Sequence, residues 1–289
     1  MSKKFLFLII FIGALSVKLL SQDKNSFDYK EQLFERLYQD GVVLFNEAKY
    51  EESIKKFDEA ISSKADSTKG YFYRGAARYM LRNYKEAIKD FTLAISKDLN
   101  NANAYNERGN CKRMLNDLKG AMQDYTIAIS LNSKFSEAYK NLGSLKLKNK
   151  DYNAAIVNFS VAINIDANCE QCYISRGYCR YLNGDYNEAL IDFNEAVKLN
   201  PNSTIALNNR ANTKFKTRDY KGALEDYNAA ISIKEDYAEA WLNRGTLKER
   251  IKDIKGAVED WNKAAKLGSF RAEEYLREVS SDKKLNEKL

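Results

Sequence analysis

The sequence predicts an all-α solenoid, in which antiparallel helix pairs stack one after another. The first observation is a fixed period: between residues 34 and 271, seven consecutive segments of 34 residues align without an insertion or deletion. The second is that apolar residues recur at helical spacing in two runs per segment. The third is that small residues recur at fixed places, where two helices could approach closely. A period of about 20–50 residues is typical of repeats that contact only their neighbours.

The seven segments are predicted to be structural repeats, and we number the positions within each as places 1 to 34. The repeats are residues 34–67, 68–101, 102–135, 136–169, 170–203, 204–237 and 238–271. Place 8 is small in all of them: Gly41, Gly75, Gly109, Gly143, Gly177, Ala211 and Gly245. Place 27 is always alanine: Ala60, Ala94, Ala128, Ala162, Ala196, Ala230 and Ala264.

Each repeat is predicted to contain two helices joined by a short turn. In repeat 5 the turn signal is Asn183-Gly184-Asp185, with Asp185 placed to cap the second helix and Glu188 completing a capping box. Five other repeats carry Asn or Asp at the same place: Asn83, Asp117, Asp151, Asp219 and Asp253. Place 24 is always aromatic and is expected in the core: Phe57, Phe91, Tyr125, Phe159, Phe193, Tyr227 and Trp261.

These recurring residues resemble the tetratricopeptide repeat, whose pattern of a large aromatic, Gly, Ala, aromatic, Ala and Pro extends over 34 residues. The resemblance covers about four-fifths of the chain, and Pro201 falls where the family has its proline. It implies a right-handed superhelix of antiparallel helix pairs whose concave side holds peptides or proteins. Basic residues at place 11, where the family usually has an aromatic, and arginines at place 7 depart from the pattern.

Places 7 and 23 vary together, which predicts an ion pair between the two helices of a repeat. The predicted pairs are Arg74–Asp90, Arg108–Asp124, Arg176–Asp192, Arg210–Asp226 and Arg244–Asp260. Repeat 4 has Leu142 with the uncharged Asn158, and in repeat 1 the signs are reversed, with Asp40 and Lys56. The basic residue at place 11 lies on the same helical face and could share the carboxylate. This pairing argues against a stripe of arginines that binds anions or nucleic acid.

The first 22 residues predict a secretory signal peptide or an uncleaved membrane anchor. Two lysines precede an uncharged run over residues 5–17, which is shorter than the about 20 residues that span a bilayer. Ala14-Leu15-Ser16 fits a signal-peptidase site. We expect export to the periplasm or the cell exterior, and the alternative is an anchor formed by residues 5–20.

Removing this segment would remove Lys3, Lys4 and Lys18 and no acidic residue, so the net charge would fall from +7 to +4. That value is too mild to predict nucleic-acid binding. Residues 23–33 are expected to extend the first helix. Residues 272–289 are expected to form a capping helix and a polar tail, because a solenoid needs its last repeat covered.

The four cysteines and the absence of histidine limit which metal sites and catalytic groups the chain could form. Cys169 and Cys172 form a C-x-x-C that could close as a disulfide in an exported protein. Cys111 and Cys179 share place 10 and are expected to be small buried side chains. The chain has no His and no second C-x-x-C, so neither a metal site nor a cofactor is expected. No nucleotide-binding, hydrolase or metalloprotease motif occurs, which predicts that the protein is not an enzyme.

By the resemblance, places 2, 5, 9, 12 and 13 of the first helices form the concave groove. Aromatic residues there would anchor a partner and amides would bond an extended backbone. The candidate partner-binding residues are Phe72, Tyr79, Asn106, Asn110, Lys140, Tyr178, Tyr181, Asn208 and Asn212. A clamp for a terminal carboxylate, as in chaperone-binding members, is not predicted, because Ser144 follows Lys140 where the clamp has Asn.

The sequence favours a non-enzymatic scaffold of the cell envelope or cell exterior that binds a protein or extended peptide. The alternative is an accessory protein that binds glycans or the cell wall through the groove aromatics. A third class, repeat proteins that bind single-stranded RNA, would require a cytosolic chain and conflicts with the predicted export.

Overall fold

The computed structural model describes residues 27–286, with side chains through residue 280. The described residues form fifteen α-helices and no strand, which confirms the all-α class. The helices are α1 Phe27–Asn46, α2 Tyr50–Ser63, α3 Thr68–Met80, α4 Tyr84–Lys97, α5 Ala102–Met114, α6 Leu118–Leu131, α7 Ser136–Lys148, α8 Tyr152–Ile165, α9 Glu170–Asn183, α10 Tyr186–Leu199, α11 Thr204–Lys216, α12 Tyr220–Ile233, α13 Ala238–Arg250, α14 Ile254–Lys266 and α15 Phe270–Asn286.

The described chain divides into two compact units, residues 27–133 with helices α1–α6 and residues 134–286 with helices α7–α15. Within each unit, consecutive helices pack against each other, and the first helices of neighbouring repeats also touch. Two helices therefore correspond to each 34-residue repeat, and α15 follows the seventh. This tandem packing of helix pairs is the arrangement that the period predicts.

Close contact between the two helices of a repeat requires the small residue at place 8. A Cβ added to Gly41 would lie 2.6 Å from a ring carbon of Phe57, and one added to Gly109 would lie 2.7 Å from a ring carbon of Tyr125. The ring at place 24 therefore packs directly on the backbone of the first helix. The alanines at place 27 are fully buried in all seven repeats. Larger side chains at either place would push the helices apart.

The predicted capping box in repeat 5 is wrong. Asp185 precedes α10, but its side chain makes no capping hydrogen bond, and a carboxylate oxygen of Glu188 lies 3.8 Å from the guanidinium of Arg180 instead. Asn83, which is also followed by Glu three residues later, does not cap α4.

Capping depends on the residue three positions after the cap. Asp117, Asp219 and Asp253 accept a hydrogen bond from a glycine N–H at 2.9–3.0 Å. Asp151 accepts one from Ala154 at 3.3 Å. A Cβ on any of the three glycines would collide with the capping carboxylate. A small residue, rather than Glu, thus favours the cap in these turns.

The turn within each repeat contains a residue in the left-handed conformation. Glycine serves there in repeat 5, where Gly184 has φ +88°, but the other six repeats use a residue with a side chain at φ +59° to +69°. Those six are Ala48, Arg82, Asn116, Lys150, Arg218 and Lys252. Because L-residues avoid this region, each of these turns carries local backbone strain.

The two ends of the described chain are helical. Helix α1 begins at Phe27, ahead of the first repeat, and α15 packs Ala272, Tyr275 and Leu276 against the buried Trp261 of repeat 7. Residues 1–26 and 287–289 lie outside the described residues, so the signal peptide over residues 1–22 stays a prediction. Among the helices of residues 27–286, none combines the length and the hydropathy of a membrane span.

Candidate partner-binding surface

The arginines at place 7 lie inside the repeats rather than on an open surface. Each donates to the aspartate sixteen residues later, with N–O distances of 2.6–2.8 Å in the five repeats that carry the pair. The five aspartates, Asp90, Asp124, Asp192, Asp226 and Asp260, are buried. A second cation at place 11 lies 2.8–2.9 Å from each carboxylate, from Arg78, Lys112, Arg180, Lys214 or Lys248. Two cations therefore hold each buried carboxylate.

The same arginines also reach the preceding repeat of their unit. Nη1 of Arg74 lies 2.7 Å from a carboxylate oxygen of Asp58, and Nη1 of Arg176 lies 3.0 Å from the hydroxyl of Ser160. Arg108, Arg210 and Arg244 reach Thr92, Asn194 and Asn228 in the same way. Burial lowers the pKa of Arg74, but its hydrogen bonds to Asp90 and Asp58 raise that pKa above its ordinary value. These arginines are thus engaged in structural contacts.

Two repeats depart from this arrangement. In repeat 1, Lys56 pairs with Glu59 at 2.9 Å, so the reversed pair with Asp40 is wrong. The reason is proximity along the helix, since Glu59 lies three residues after Lys56 on the same face. In repeat 4, the amide of Asn158 donates to the backbone carbonyl of Ala154 at 2.7 Å.

Two of the candidate asparagines bond buried tyrosines of their own repeats. Tyr125 donates its hydroxyl hydrogen to Oδ1 of Asn110 at 2.8 Å, and Tyr227 donates to Oδ1 of Asn212 at 2.5 Å. Burial raises the pKa of Tyr125 to about 12. These are the two repeats with Tyr rather than Phe or Trp at place 24, so place 9 supplies the acceptor that the buried hydroxyl needs.

The other two candidate asparagines are buried. Asn106 is fully buried and donates to a carboxylate oxygen of Glu107 at 2.9 Å. Asn208 is 1% exposed and accepts a hydrogen bond from Asn243 at 3.1 Å. The Nδ2 atom of Asn208 is buried without a partner, which is costly for an amide. A partner's backbone would reach these two residues only after a rearrangement.

The candidate aromatic residues differ in exposure. Phe72 and Tyr79 are half-buried, with ring centroids 5.6 Å from Phe91 and 5.5 Å from Tyr84, respectively. Tyr181 is half-buried as well, and its burial raises its pKa above the ordinary value. Tyr178 is 40% exposed and is the most accessible of the four.

Lys140 stands on the first helix of repeat 4, at the start of the second unit. It is half-buried, and its Nζ lies 2.7 Å from a carboxylate oxygen of Glu137, one turn earlier on α7. The pair is spaced i, i+3 and is partly exposed, so it contributes little to stability. To bind an acidic group of a partner, Lys140 would therefore have to give up its ion pair with Glu137.

In each unit, a cleft that includes candidate residues opens on the first helices. The cleft of the first unit has a volume of about 210 Å³ and is lined by Thr68, Lys69, Phe72, Tyr73, Asn101 and Asn103. The cleft of the second unit has a volume of about 170 Å³ and is lined by Tyr181, Asn212, Phe215, Lys216, Tyr227, Leu242, Asn243, Thr246, Arg271 and Tyr275. The second combines aromatic rings with two cations and two amides.

Some lining residues were not among the sequence candidates. Tyr73 and Asn243 stand at place 6. The variation of this place from repeat to repeat could have identified both residues as candidates. Arg271 and Tyr275 both come from α15, and no repeating place identifies them. The second cleft therefore depends on the terminal helix as well as on repeats 5 to 7.

The cysteines form one disulfide and two buried thiols. Cys169 and Cys172 are bonded, with Cα atoms 5.3 Å apart, at the start of α9. Burial raises the pKa of Cys111 to about 12 and that of Cys179 to about 11, which makes both thiols poor nucleophiles. Within residues 27–280, no group of three Cys, Asp or Glu side chains is placed to hold a metal ion.

Comparison with known proteins identifies the repeat. A family model described as the tetratricopeptide repeat matches residues 171–203, and one described as the TPR repeat matches residues 215–252. No curated protein matches the chain in sequence.

Similar solved structures include a tetratricopeptide repeat protein from Parabacteroides merdae, with 19% identity, a TM-score of 0.62, and coverage of 85% of this chain and 98% of that one. The C-terminal part of a TPR repeat-containing protein from Cytophaga hutchinsonii has 20% identity, a TM-score of 0.65, and coverage of 82% and 98%. YrrB, described as a TPR protein with an unusual peptide-binding site, has 22% identity, a TM-score of 0.55, and coverage of 64% and 95%. At these identities the likeness shows the fold. The chain is therefore a protein built of tandem tetratricopeptide repeats.

Proposed function

We propose that this protein is a non-enzymatic scaffold that binds a protein or an extended peptide on the first helices of its repeats. The observation that carries the proposal is the cleft of the second unit, where aromatic rings, two amides and two cations converge. Aromatic and arginine side chains contribute most of the energy in many protein interfaces. YrrB, a protein of the same fold, is described as having an unusual peptide-binding site, and this supports the assignment.

The division of residues between repeating and variable places supports the same proposal. The repeating places hold the helix contacts, the buried ion pairs and the turns, so changes there would damage the fold. The variable places carry Tyr178, Lys216 and Arg271, which are exposed and can differ without cost to the core. A binding surface needs this freedom, because its chemistry must fit one partner.

A selection from a phage-displayed random peptide library tests the proposal. The groove variant Tyr178→Ala/Arg271→Ala changes two exposed side chains of the second unit. Arg271 lines the cleft, and Tyr178 lies on α9, the helix that contributes Tyr181 to the cleft. The matched control Val157→Ala/Ile191→Ala changes two exposed residues on the second helices, which are 63% and 55% exposed. Peptides selected on the unchanged chain should bind the control equally and lose at least about tenfold on the groove variant, as expected for loss of an interface anchor. Equal binding to both variants would contradict the groove assignment.

The alternative, a glycan or cell-wall ligand, predicts a different experimental outcome. Retention of the chain on insoluble wall material, abolished by Tyr178→Ala, together with no peptide enrichment, would favour it.

We also propose that the protein is exported, on the basis of the sequence of residues 1–22. The mass of the protein recovered from cells tests this, since cleavage after Ser16 or further along residues 1–22 removes at least sixteen residues, whereas a chain with an uncleaved anchor keeps them all.

A further inference from the structure

The second unit carries five exposed cations on the turns of its last two repeats. Arg218 lies in the α11–α12 turn and Lys221 at the start of α12. Arg250 ends α13, Lys252 lies in the α13–α14 turn and Lys255 lies at the start of α14. We call these five residues the basic edge. Among the described residues, none of the five takes part in an ion pair, unlike the cations at places 7 and 11. Their charges are therefore available to a partner.

The two turns lie side by side. Nε of Arg250 donates to the hydroxyl of Tyr220 at 3.5 Å, and Tyr220 is the first residue of α12. The aspartates of these turns are already engaged, because Asp219 and Asp253 accept hydrogen bonds from Gly222 and Gly256. These hydrogen bonds leave the negative charge of both exposed aspartates in place, and Glu249 is a third exposed acid. The five cations of the edge therefore exceed its acids by two.

Exposed aliphatic side chains stand among these cations. Ile251 is 43% exposed and Ile254 is 40% exposed, and Arg250, Lys252 and Lys255 alternate with them along the turn. Cations that flank exposed aliphatic residues fit the boundary of a membrane, where the cations meet anionic headgroups and the aliphatic groups enter the acyl region. A nucleic-acid backbone would satisfy the cations but would leave the isoleucines in water.

We propose that the basic edge docks on an anionic membrane surface, with Ile251 and Ile254 inserted at the level of the headgroups. This contact is separate from the predicted N-terminal anchor and does not require a membrane-spanning helix. It uses residues other than Tyr178 and Arg271, so it can hold whether or not the second cleft binds a peptide.

Co-sedimentation of the full chain with lipid vesicles tests the proposal. Vesicles of phosphatidylcholine alone are compared with vesicles that also contain phosphatidylglycerol. We expect binding to require phosphatidylglycerol and to weaken with added salt, because salt screens the attraction. The variant Lys221→Glu/Lys252→Glu/Lys255→Glu should lower the partition coefficient by at least about 100-fold, since each cation near an anionic surface contributes roughly fivefold.

A second triple variant controls for net charge. Lys198→Glu/Lys234→Glu/Lys266→Glu makes the same change of charge at the opposite ends of the helices, and it should bind as the unchanged chain does. Ile251→Ser should weaken binding by up to about tenfold, through loss of apolar burial. The N-terminal segment is common to all variants and so cancels from the comparison, and thermal melting verifies that each variant is folded.

Four results would overturn the proposal. They are equal binding to vesicles without phosphatidylglycerol, equal losses in the two triple variants, undiminished binding by the first triple variant, and binding to a single-stranded RNA oligonucleotide without binding to the vesicles.

Discussion

Arg210 and Asp226 meet edge to edge: Nε lies 2.8 Å from Oδ2, and Nη2 lies 2.7 Å from Oδ1. The carboxylate is buried, and Lys214 holds its second oxygen at 2.8 Å. A two-point contact of this kind combines the attraction of opposite charges with a fixed geometry. It also makes the carboxylate dependent on its partners, because a buried charge without them is costly.

Arg210→Ala should therefore lower the free energy of unfolding by about 3–5 kcal/mol, since it leaves Asp226 with one cation in a buried site. The double variant Arg210→Leu/Asp226→Asn should lose less, because it removes the buried charge as well. Repeat 4 already carries this pair of residues as Leu142 and Asn158. Urea unfolding measures both variants, and equal losses would show that the charge pair is not what stabilises the contact.

The hydrogen bond between Tyr227 and Asn212 predicts a second asymmetry. Asn212→Ala should cost about 1–3 kcal/mol, because the tyrosine hydroxyl remains buried without an acceptor. Tyr227→Phe/Asn212→Ala should cost less than the single change, since it recreates the pair Phe91 and Ala76 of repeat 2. A double-mutant cycle in urea measures the coupling, and additive losses would contradict it.

The left-handed turn residues predict a stabilising substitution. Lys150 is exposed at φ +60°, so Lys150→Gly should raise the free energy of unfolding by up to about 1 kcal/mol through relief of strain. The reverse change, Gly184→Ala, should lower it by a similar amount. A Cβ at Gly184 would meet no atom within 4 Å, so the backbone alone would cause the loss. Thermal melting compares the two variants, and a Lys150→Gly protein that melts earlier would contradict the account.

The disulfide between Cys169 and Cys172 predicts a limited sensitivity to reductant. Closing a loop of four residues stabilises a protein by about 2 kcal/mol in the chain-entropy model, so reduction should lower the melting temperature modestly. The variant Cys169→Ser/Cys172→Ala should melt near the reduced protein and should not respond to reductant. Its serine can cap α9 as Ser67 and Ser203 cap α3 and α11. An unchanged melting temperature on reduction of the parent chain would show that the bond contributes nothing.

Most of the fold follows from the sequence, because helix contacts repeat at fixed places and seven copies reveal them. The cap at Asp185 was mispredicted because a general rule favours Glu at the third position, whereas these turns place the capping carboxylate where only a small residue fits. That exception was visible in the sequence, since Asp117, Asp219 and Asp253 are each followed by glycine three residues later.

The candidate site was harder to predict than the fold. Asn106 and Asn208 stand at an exposed-looking place on an isolated helix, yet both are buried in the folded chain. The pairing of Asn110 and Asn212 with the two tyrosines at place 24 could have been found by comparing the repeats. Arg271 and Tyr275 could not, because their position depends on how α15 packs on repeat 7 rather than on any period.

Each place-7 arginine contacts the preceding repeat, and this contact affects how the number of repeats can change during evolution. The residue that accepts the hydrogen bond from Nη1 of the arginine varies among repeats, but in each case the acceptor is a side-chain oxygen. The acceptors are Asp58, Thr92, Ser160, Asn194 and Asn228. An arginine from one repeat would therefore find an acceptor behind it after a neighbour was duplicated or lost. In-frame gain or loss of whole repeats leaves this contact intact, so the gene can lengthen or shorten the array without inventing a new junction each time.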